Sequence, residues 1–427
     1  MRILVLGAGG REHALAWKIA QSTAASGDGI EVFAAPGNPG IASVATCVPL
    51  LTGNPESYLA AARAIKADLT VVGPEAPLAA GVVDAFRAEG RRIVGPTAEG
   101  ARLESSKVFA KNFFVQSSIP TARYEAVEDV SRALPVVESF GYPVVLKADG
   151  LAAGKGVAIV RNRAEAEAAL GALSGPLVVE EFLTGEEVSF IALCDGRDAV
   201  ALAPTQDHKA AFDGDTGPNT GGMGAYCDSA ILSAAQSEDI LNRVIRPTVE
   251  RTAFTGFLYA GLMMTVEGPK VLEFNVRLGD PETQPLMHRL ASDFVPALVA
   301  AAQGGLGDIK LNWRPEPSVC VVLATDGYPG AYETGKPIEG VEAAEREGAV
   351  VFHAGTRLGI GGLETAGGRV LGVTASGGNL PAAIDHAYAG VRRIKFEGMH
   401  YRRDIGHKGL ERYNGKDATT RARSSDG

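Results

Sequence analysis

The alternating segment Leu272–Arg277 carries the strongest chemical signal in the sequence. Because successive side chains of a strand point to opposite faces, Glu273, Asn275 and Arg277 would share one face. A carboxylate and an amide oxygen are hard ligands that suit Mg²⁺ bridging nucleotide phosphates, and a neighbouring arginine can stabilise a phosphoryl group in transfer. Two more carboxylates follow in the segment Gly279–Glu282. A metal and phosphate site is therefore favoured over a polar sheet face with an ion pair.

A glycine-rich segment, Gly150–Gly156, follows an apolar strand that contains Lys147. It is not a P-loop, because the spacing is wrong and Gly156 stands where a serine or threonine would hold magnesium. A strand enters the segment and a strand leaves it, which predicts a hairpin flap that could fold over phosphates. Lys147 could then reach an α- or β-phosphate as a point charge, although a surface lysine beside a flexible hairpin is the commoner arrangement.

Acidic residues end the next apolar strand, at Glu180 and Glu181, and Phe182 and Glu187 follow. The backbone of such a hinge can pair with an adenine edge, while a nearby carboxylate can bind ribose hydroxyls. Taken alone the pattern is weak, since acidic strand ends are usually solvated.

The elements that must position these residues begin with alternating strands and helices over the first hundred residues, which predict a parallel sheet. Each strand runs into a glycine or proline loop at the sheet edge where open α/β sheets bind ligands. The first loop, Gly7–Gly10, resembles half of a dinucleotide fingerprint, but Glu12 stands where the third glycine is needed. This substitution disfavours a nicotinamide oxidoreductase.

Further along the chain the pattern predicts a helix over Leu103–Gln116, a small α+β lobe, a long polar loop at Gln206–Tyr226 and a helix near 229–252. Strands dominate from 318, with one helix near Pro381–Ile394. We expect an N-terminal α/β substrate-binding domain at residues 1–102 and a central domain at 103–315, whose small mobile lobe spans about 120–187. A β-rich C-terminal domain would follow at 316–415, and a disordered tail at 416–427.

Composition narrows the class of protein. The 427 residues are 46% hydrophobic and 21% charged, which excludes disorder as the main state, and the formal charge of −9 argues against nucleic acid or anionic lipid as partners. The four cysteines are far apart, so neither a disulfide framework nor a zinc site is indicated. No signal peptide or membrane-spanning run is found, and a cytoplasmic location is expected.

Taken in order, the motifs resemble the ATP-grasp superfamily and, within it, the ligases that join glycine to 5-phosphoribosylamine. The resemblance covers nearly the whole chain and rests on the segments 7–13, 36–40, 103–107, 146–156, 204–209, 217–224, 273–277, 279–284 and 403–406. Leu278 departs from the expected phenylalanine, an apolar exchange of little consequence.

The resemblance implies an α/β and α+β fold: an N-terminal open parallel sheet, a central ATP-grasp domain with an inserted lobe and a C-terminal mostly β domain. It implies that ATP, glycine and 5-phosphoribosylamine give glycinamide ribonucleotide, ADP and phosphate through glycyl phosphate, in de novo purine synthesis. Mg²⁺ or Mn²⁺ would serve as cofactor. The chain ends soon after the segment 403–406, which favours a stand-alone ligase, and we expect a monomer or weak homo-oligomer with small-molecule partners only.

The resemblance also assigns residues. Glu273 and Asn275 would bind the metal, and the catalytic set would be Arg277, Lys147 and Asp213. ATP would contact Lys107, Lys147, Gly154, Lys155, Gly156, Glu180, Glu181, Phe182 and Glu187. The ribose phosphate would lie at Gly9, Gly10, Gly37, Asn38, Pro39 and Gly40, and the remaining substrate contacts would come from Glu75, Asp213, Gly222, Met223 and Arg277. Among these, Asp213 and the stretch Gly221–Gly224 are the candidates for the glycine end.

Two other classes of protein are weighed against this one. Another ATP-grasp ligase would keep the pair Glu273 and Asn275 but not the loop Pro36–Gly40 together with the segment Gln206–Lys209. A non-catalytic nucleotide-binding regulatory module would be expected to lack Lys147 or the metal ligands, and both are present.

Overall fold

The computed structural model describes residues 1–23, 29–150, 156–410 and 412–413. Its first part is a five-stranded parallel sheet in the order β3-β2-β1-β4-β5. The strands are β1 (Arg2–Gly7), β2 (Glu31–Pro36), β3 (Thr46–Cys47), β4 (Leu69–Val72) and β5 (Ile93–Val94), and the helices are α1 (Gly10–Ala20), α2 (Pro55–Ile65), α3 (Glu75–Ala79) and α4 (Val82–Ala88). The predicted parallel sheet is confirmed.

The start of α1 shows why this sheet edge has its shape. The Glu12 carboxylate turns back and accepts a hydrogen bond from the Gly9 backbone N–H at 2.6 Å, which satisfies one of the free donors of the helix start. Glu12 is buried and fills the space beside Gly7 and Gly73. Glu12, which stands where the third glycine of the dinucleotide fingerprint would be, thus has a structural role.

Two helices, α5 (Ala98–Ser105) and α6 (Lys107–Gln116), occupy the region where one helix was predicted over Leu103–Gln116. That prediction was wrong at Ser106, which has an extended backbone and caps α6 by accepting a hydrogen bond from Phe109 N–H at 3.2 Å. Lys107 begins α6, in agreement with the prediction that it lies near the start of a helix.

The small lobe is a four-stranded antiparallel sheet in the order β6-β9-β7-β8. It contains β6 (Tyr124–Val127), α7 (Ala133–Phe140), β7 (Val144–Ala148), β8 (Val157–Val160), α8 (Arg163–Ala172) and β9 (Leu177–Glu181), around its own buried apolar cluster. The predicted hairpin is confirmed in β7 and β8, which are antiparallel neighbours.

A ten-stranded sheet forms the rest of the scaffold. Its first elements are β10 (Glu186–Asp195), β11 (Ala199–Ala201), β12 (Thr205–Asp207), β13 (Ala210–Phe212), β14 (Thr216–Asn219), β15 (Gly224–Cys227), α9 (Ala234–Ile240), α10 (Arg246–Thr252), β16 (Thr255–Thr265), β17 (Gly268–Asn275), α11 (Thr283–Arg289) and α12 (Val295–Gln303). Of these, β13 and β14 pair only as a separate hairpin. The loop predicted at Gln206–Tyr226 is thus wrong, because the segment consists largely of short strands. A π-helical turn, Leu241–Ile245, joins α9 to α10.

The sheet then continues into the C-terminal part, because β15 pairs with β18. The path is β17-β16-β10-β12-β15-β18-β22-β19, with β11 beside β10 and β23 beside β18. The remaining elements are β18 (Ser318–Thr325), α13 (Val341–Arg346), β19 (Val350–His353), β20 (Thr356–Gly359), β21 (Gly362–Thr365), β22 (Arg369–Ser376), α14 (Leu380–Val391) and β23 (Met399–His400). Over the described residues, every helix is too short or too polar to cross a bilayer. The tail at 416–427 lies outside the described residues.

Candidate active site

Glu273 and Asn275 lie near the end of β17, on the sheet face that Glu187 of β10 shares. The strand register aligns Glu273 with Gly261, and Gly261 with Ser189. A Cβ at Gly261 would lie 3.4 Å from Glu273 Cγ, so the absence of a side chain at Gly261 leaves space for the Glu273 side chain. The alternation predicted for this segment therefore places both proposed metal ligands on one polar face.

Three lysines from separate elements act on Glu273. Burial opposes its ionisation, but the positive charges of Lys209, Lys147 and Lys107 outweigh burial and hold the pKa of Glu273 below its usual value. Lys107 begins α6, Lys147 lies in β7 and Lys209 follows β12. The fold thus gathers cations from the small lobe and the large sheet around one carboxylate, an arrangement suited to a polyphosphate.

Lys147 is itself held by two partners. Its Nζ lies 3.0 Å from Glu180 Oε1 and donates to the Leu272 carbonyl at 2.8 Å. The other carboxylate oxygen of Glu180 lies 3.1 Å from Lys111 Nζ, and burial lowers the pKa of Lys111 to about 8. Glu180 is 1% exposed, so its carboxylate contacts the two lysines and not solvent.

The other predicted nucleotide residues lie around the hinge after β9. Glu181 Oε1 accepts a hydrogen bond from the Arg123 N–H at 2.9 Å, and the Phe182 side chain is exposed. Glu187 Oε2 lies 3.2 Å from Lys209 Nζ, whose positive charge lowers the pKa of Glu187. Gly156, at the start of β8, accepts a hydrogen bond from Ala148 N–H at 2.8 Å. Gly154 and Lys155 lie outside the described residues.

Arg277 joins helices α3 and α5 to Asn275, one of the two predicted metal ligands. Its guanidinium lies 3.3 Å from Glu75 Oε2 and 3.1 Å from Glu104 Oε1, and it donates to Asn275 Oδ1 at 3.1 Å. Glu104 also accepts from the Val276 N–H at 2.8 Å, and burial raises the pKa of this carboxyl. The predicted residues Glu75, Asn275 and Arg277 are therefore brought together.

A cavity of about 420 Å³ opens where the N-terminal loops meet the C-terminal strands. Asn38 Nδ2 donates to the Ala8 and His353 carbonyls, each at 2.8 Å, and so ties the two parts together. Opposite, Arg369 lies 2.9 Å from Asp280 Oδ2. The lining includes three predicted residues, Gly9, Gly37 and Asn38, together with Asp280, Thr356 and Arg369.

The other residues of these loops have different surroundings. A Cβ at Gly10 would lie 2.6 Å from Gln284 Nε2, and a Cβ at Gly40 would lie 2.5 Å from the rings of His13 and His353, so both glycines permit close packing. Pro39, between Asn38 and Gly40, is half-buried.

The residues predicted for the glycine end are spread along one segment. Asp213 is exposed at the tip of the β13–β14 hairpin, and its Oδ1 accepts from the Arg403 N–H at 2.7 Å. Gly222 lies near the cavity, where its carbonyl accepts from Arg369 at 3.4 Å. Met223 is fully buried. The structure therefore places Gly222, but not Asp213, beside the cavity wall.

Sequence reasoning missed several members of the site: Lys111, Lys209, Glu104, Asp280 and Arg369. Asp280 and Lys209 stand inside motifs that had been singled out, so their charge was a usable signal. Lys111 and Arg369 carry no local signal, because their partners are distant in the chain.

Comparisons with known proteins agree with this architecture. Sequence profiles of phosphoribosylglycinamide synthetase match the N domain at residues 1–104, the ATP-grasp (A) domain at 105–283 and the C domain at 318–408. A phosphoribosylamine–glycine ligase of Rhizobium meliloti strain 1021 is 48% identical over an alignment of 425 positions that covers 96% of this chain and 99% of the relative. That of Pseudomonas aeruginosa PAO1 is 48% identical over an alignment of 435 positions that covers 97% of this chain and 100% of the relative.

A solved structure extends the likeness to three dimensions. The crystal structure of phosphoribosylamine–glycine ligase from Thermotoga maritima superposes with a TM-score of 0.82 at 36% identity, and the match covers 95% of this chain and 100% of that one. Profiles, sequence relatives and fold all agree along nearly the whole chain. The chain therefore belongs to the phosphoribosylglycinamide synthetase family.

Proposed function

We propose that this chain joins glycine to 5-phosphoribosylamine at the expense of ATP, giving glycinamide ribonucleotide, ADP and phosphate in purine biosynthesis. It is a carbon–nitrogen ligase, as its family and its relatives' names indicate. The single observation that carries the proposal is the convergence of the charges of Lys107, Lys147 and Lys209 on Glu273.

Two steps account for the reaction. A glycine carboxylate oxygen forms a bond to the γ-phosphorus of ATP while the bond from that phosphorus to the β,γ-bridging oxygen breaks, which releases ADP and leaves glycyl phosphate. The amine of 5-phosphoribosylamine then attacks the acyl carbon, phosphate leaves and the amine loses a proton. The carboxylate needs this activation because it is a poor electrophile, and the protein contributes mainly positioning and charge neutralisation.

The donor set fits a divalent cation shared with a nucleotide. Within the described part of the chain no three acidic, histidine or cysteine side chains are grouped to hold a metal by themselves. Mg²⁺ commonly takes one or two protein oxygens and completes its shell with water and phosphate, which Glu273 and Asn275 would allow. Bound there, Mg²⁺ or Mn²⁺ would neutralise phosphate charge.

The remaining residues divide between a nucleotide subsite and a subsite for the two other substrates. Lys107 and Lys147 would bind the ATP phosphates, and Glu187, with the backbone at Glu181 and Phe182, would hold the adenosine. Arg277, fixed by Glu75 and Glu104, would face the transferred phosphoryl group. The cavity at Gly9 and Asn38 would take the ribose phosphate, and Asp213, Gly222 and Met223 would border the glycine end.

Broader features are proposed on the same basis. The domain boundaries would fall near residues 102 and 315, with a mobile small lobe at about 120–187. The segment Gly150–Gly156, of which residues 151–155 lie outside the described residues, would be the flap that excludes water from the acyl phosphate. A cytoplasmic monomer or weak homo-oligomer without nucleic-acid partners would suit an enzyme of small-molecule substrates.

ADP release by the purified protein tests the function. The assay contains ATP and Mg²⁺, with glycine and freshly prepared 5-phosphoribosylamine added separately and together. Release that requires both substrates is expected. Release with a different carboxylate would retain the fold but replace the substrate, and tight ATP binding without release would favour a regulatory module.

A further inference from the structure

The segment 400–408, which follows α14, grips the β13–β14 hairpin through a buried arginine. Arg402 is fully buried, and its guanidinium donates to both carboxylate oxygens of Asp404, at 2.8 and 2.7 Å. Its third nitrogen donates to Asp215 Oδ1 at 2.7 Å and to the Ala210 carbonyl at 3.3 Å. One side chain thus joins the C-terminal segment to both the start and the tip of the hairpin.

Backbone contacts reinforce the same grip. The Gly214 N–H donates to Asp404 Oδ2 at 2.8 Å, and the Arg403 N–H donates to Asp213 Oδ1 at 2.7 Å. Lys408 Nζ lies 3.1 Å from the second oxygen of Asp215. The side-chain carboxylates of Asp213 and Asp215 are therefore each bound by the C-terminal segment.

The conformation of the tip depends on such support. Gly214 and Asp215 have φ values of +71° and +54°, a region that a non-glycine residue adopts at some cost. Asp215 forms ion pairs with Arg402 and Lys408 in this conformation, and these ion pairs offset that cost. Without the two cations, the tip would be free to adopt other turns.

The hairpin also connects the two halves of the site. At its base, Lys209 pairs with Glu187 at 3.2 Å, and Thr220 Oγ1 donates to the Lys209 carbonyl at 2.8 Å. Just beyond its other strand, the Gly221 carbonyl accepts from Arg369 at 2.6 Å, at the cavity wall. The charges of Lys408 and Asp215 act on Glu187 itself.

We propose that the segment 400–408 is a clamp for the hairpin Ala210–Asn219 and that Arg402 is a positioning residue for the glycine end of the site. This inference rests on the proposed function, because it takes the hairpin tip to border glycine. Arg402 touches no reacting atom in this scheme, and its effect is transmitted through Asp213 and Asp215.

Steady-state kinetics of three variants test the proposal. Asp215→Asn removes one anion of the clamp, and asparagine tolerates the left-handed backbone, so the exposed hairpin keeps its fold. Arg402→Gln removes the cation, and Arg402→Lys restores the charge without the planar fork. We expect the KM for glycine to rise about tenfold in Asp215→Asn and Arg402→Gln, which corresponds to about 1.4 kcal/mol. The rise should be smaller in Arg402→Lys. The KM for ATP should stay within about twofold of wild type in all three variants.

The matched control is Arg403→Gln, one residue away, whose exposed side chain leaves the backbone bond to Asp213 in place. It should keep wild-type constants. Limited proteolysis after the exposed Phe212 adds a second measurement, with faster cleavage expected in Asp215→Asn and Arg402→Gln than in the control.

Each outcome decides a separate point. Unchanged KM for glycine in folded Asp215→Asn, or an equal rise in the KM for ATP, would overturn the positioning role. If cleavage after Phe212 is no faster in Asp215→Asn than in Arg403→Gln, the clamp is overturned. This comparison does not depend on whether Arg402→Gln folds. If wild type shows no glycine-dependent ADP release, the proposed function fails and the role at the glycine end fails with it, while cleavage still decides the clamp.

Discussion

Lys147 Nζ lies 3.0 Å from Glu180 Oε1, and Lys111 Nζ lies 3.1 Å from the other oxygen of the same carboxylate. All three side chains are buried. Two cations around one anion leave an excess of positive charge at the site, which an anionic ligand would neutralise. Glu180 thus holds Lys147 beside Leu272, the neighbour of the proposed metal ligand Glu273, without cancelling its charge.

Replacing Lys147 tests this arrangement. Lys147→Met keeps the length of the side chain but removes the cation, so we expect kcat/KM for ATP to fall about 10- to 100-fold through a higher KM. Lys336→Met is the control, since Lys336 pairs only with glutamates at the surface. An unchanged KM for ATP in folded Lys147→Met would contradict a phosphate contact.

Glu273 is expected to be essential for turnover and dispensable for folding. Glu273→Ala removes a proposed metal ligand, and we expect kcat to fall at least about a hundred- to a thousandfold while the unfolding midpoint stays close to wild type. Glu273→Gln, which keeps the volume, should lose activity as well. Glu267→Gln, in an exposed ion pair with Lys270, serves as the control. Near wild-type turnover in Glu273→Ala would refute the metal assignment.

The packing around Glu12 predicts a stability difference between two glycines. A Cβ at Gly73 would lie 2.5 Å from Glu12 Cγ and would collide with its carboxylate, so Gly73→Ala should destabilise the fold by about 1–3 kcal/mol. Gly171 lies in α8 with no atom within 4 Å of the added Cβ, and Gly171→Ala should stabilise by about 0.5–1 kcal/mol. Urea unfolding of both variants measures the difference, and equal midpoints would show that Glu12 can move aside.

Buried histidines predict a loss of stability in mild acid. Burial lowers the pKa of His13 and His208 to about 3 and of His288 and His353 to about 4, while the unfolded value is about 6.5. Below pH 6.5 the unfolded state therefore binds protons that the folded state does not. The free energy of unfolding should fall as pH drops from about 6.5 towards 4, by up to about 1.4 kcal/mol per pH unit for each histidine.

One substitution isolates this effect. His288 stacks on Trp17, bonds to Ser318 Oγ at 3.0 Å and is not part of the proposed site. His288→Gln can keep a polar contact and removes one titrating group, so the slope of unfolding free energy against pH should flatten by about 1 kcal/mol per unit. An unchanged slope would mean that His288 is protonated in the folded state.

Local patterns predicted much of the fold. The parallel sheet of the first 94 residues and the β7–β8 hairpin are confirmed, because apolar strand patterns alternate there with helical patterns or glycine-rich loops. The segment Gln206–Tyr226 was missed because its short strands are rich in glycine and polar residues and lack apolar alternation, and because β12 and β15 also pair with strands outside the segment. Ser106 was missed because a single capping serine interrupts an otherwise helical pattern.

The sequence by itself determined which groups could do chemistry: Lys147 before a glycine-rich segment, and Glu273 and Asn275 on one strand face. Those signals are local, since strand alternation fixes the face of a side chain within a few residues. Only the tertiary structure decided which charges meet. Lys111 reaches Glu180, Arg277 reaches Glu75, and Arg402 reaches Asp215 only after distant segments fold together. Electrostatic partnership depends on distance in space and on burial, and neither can be read from spacing along the chain.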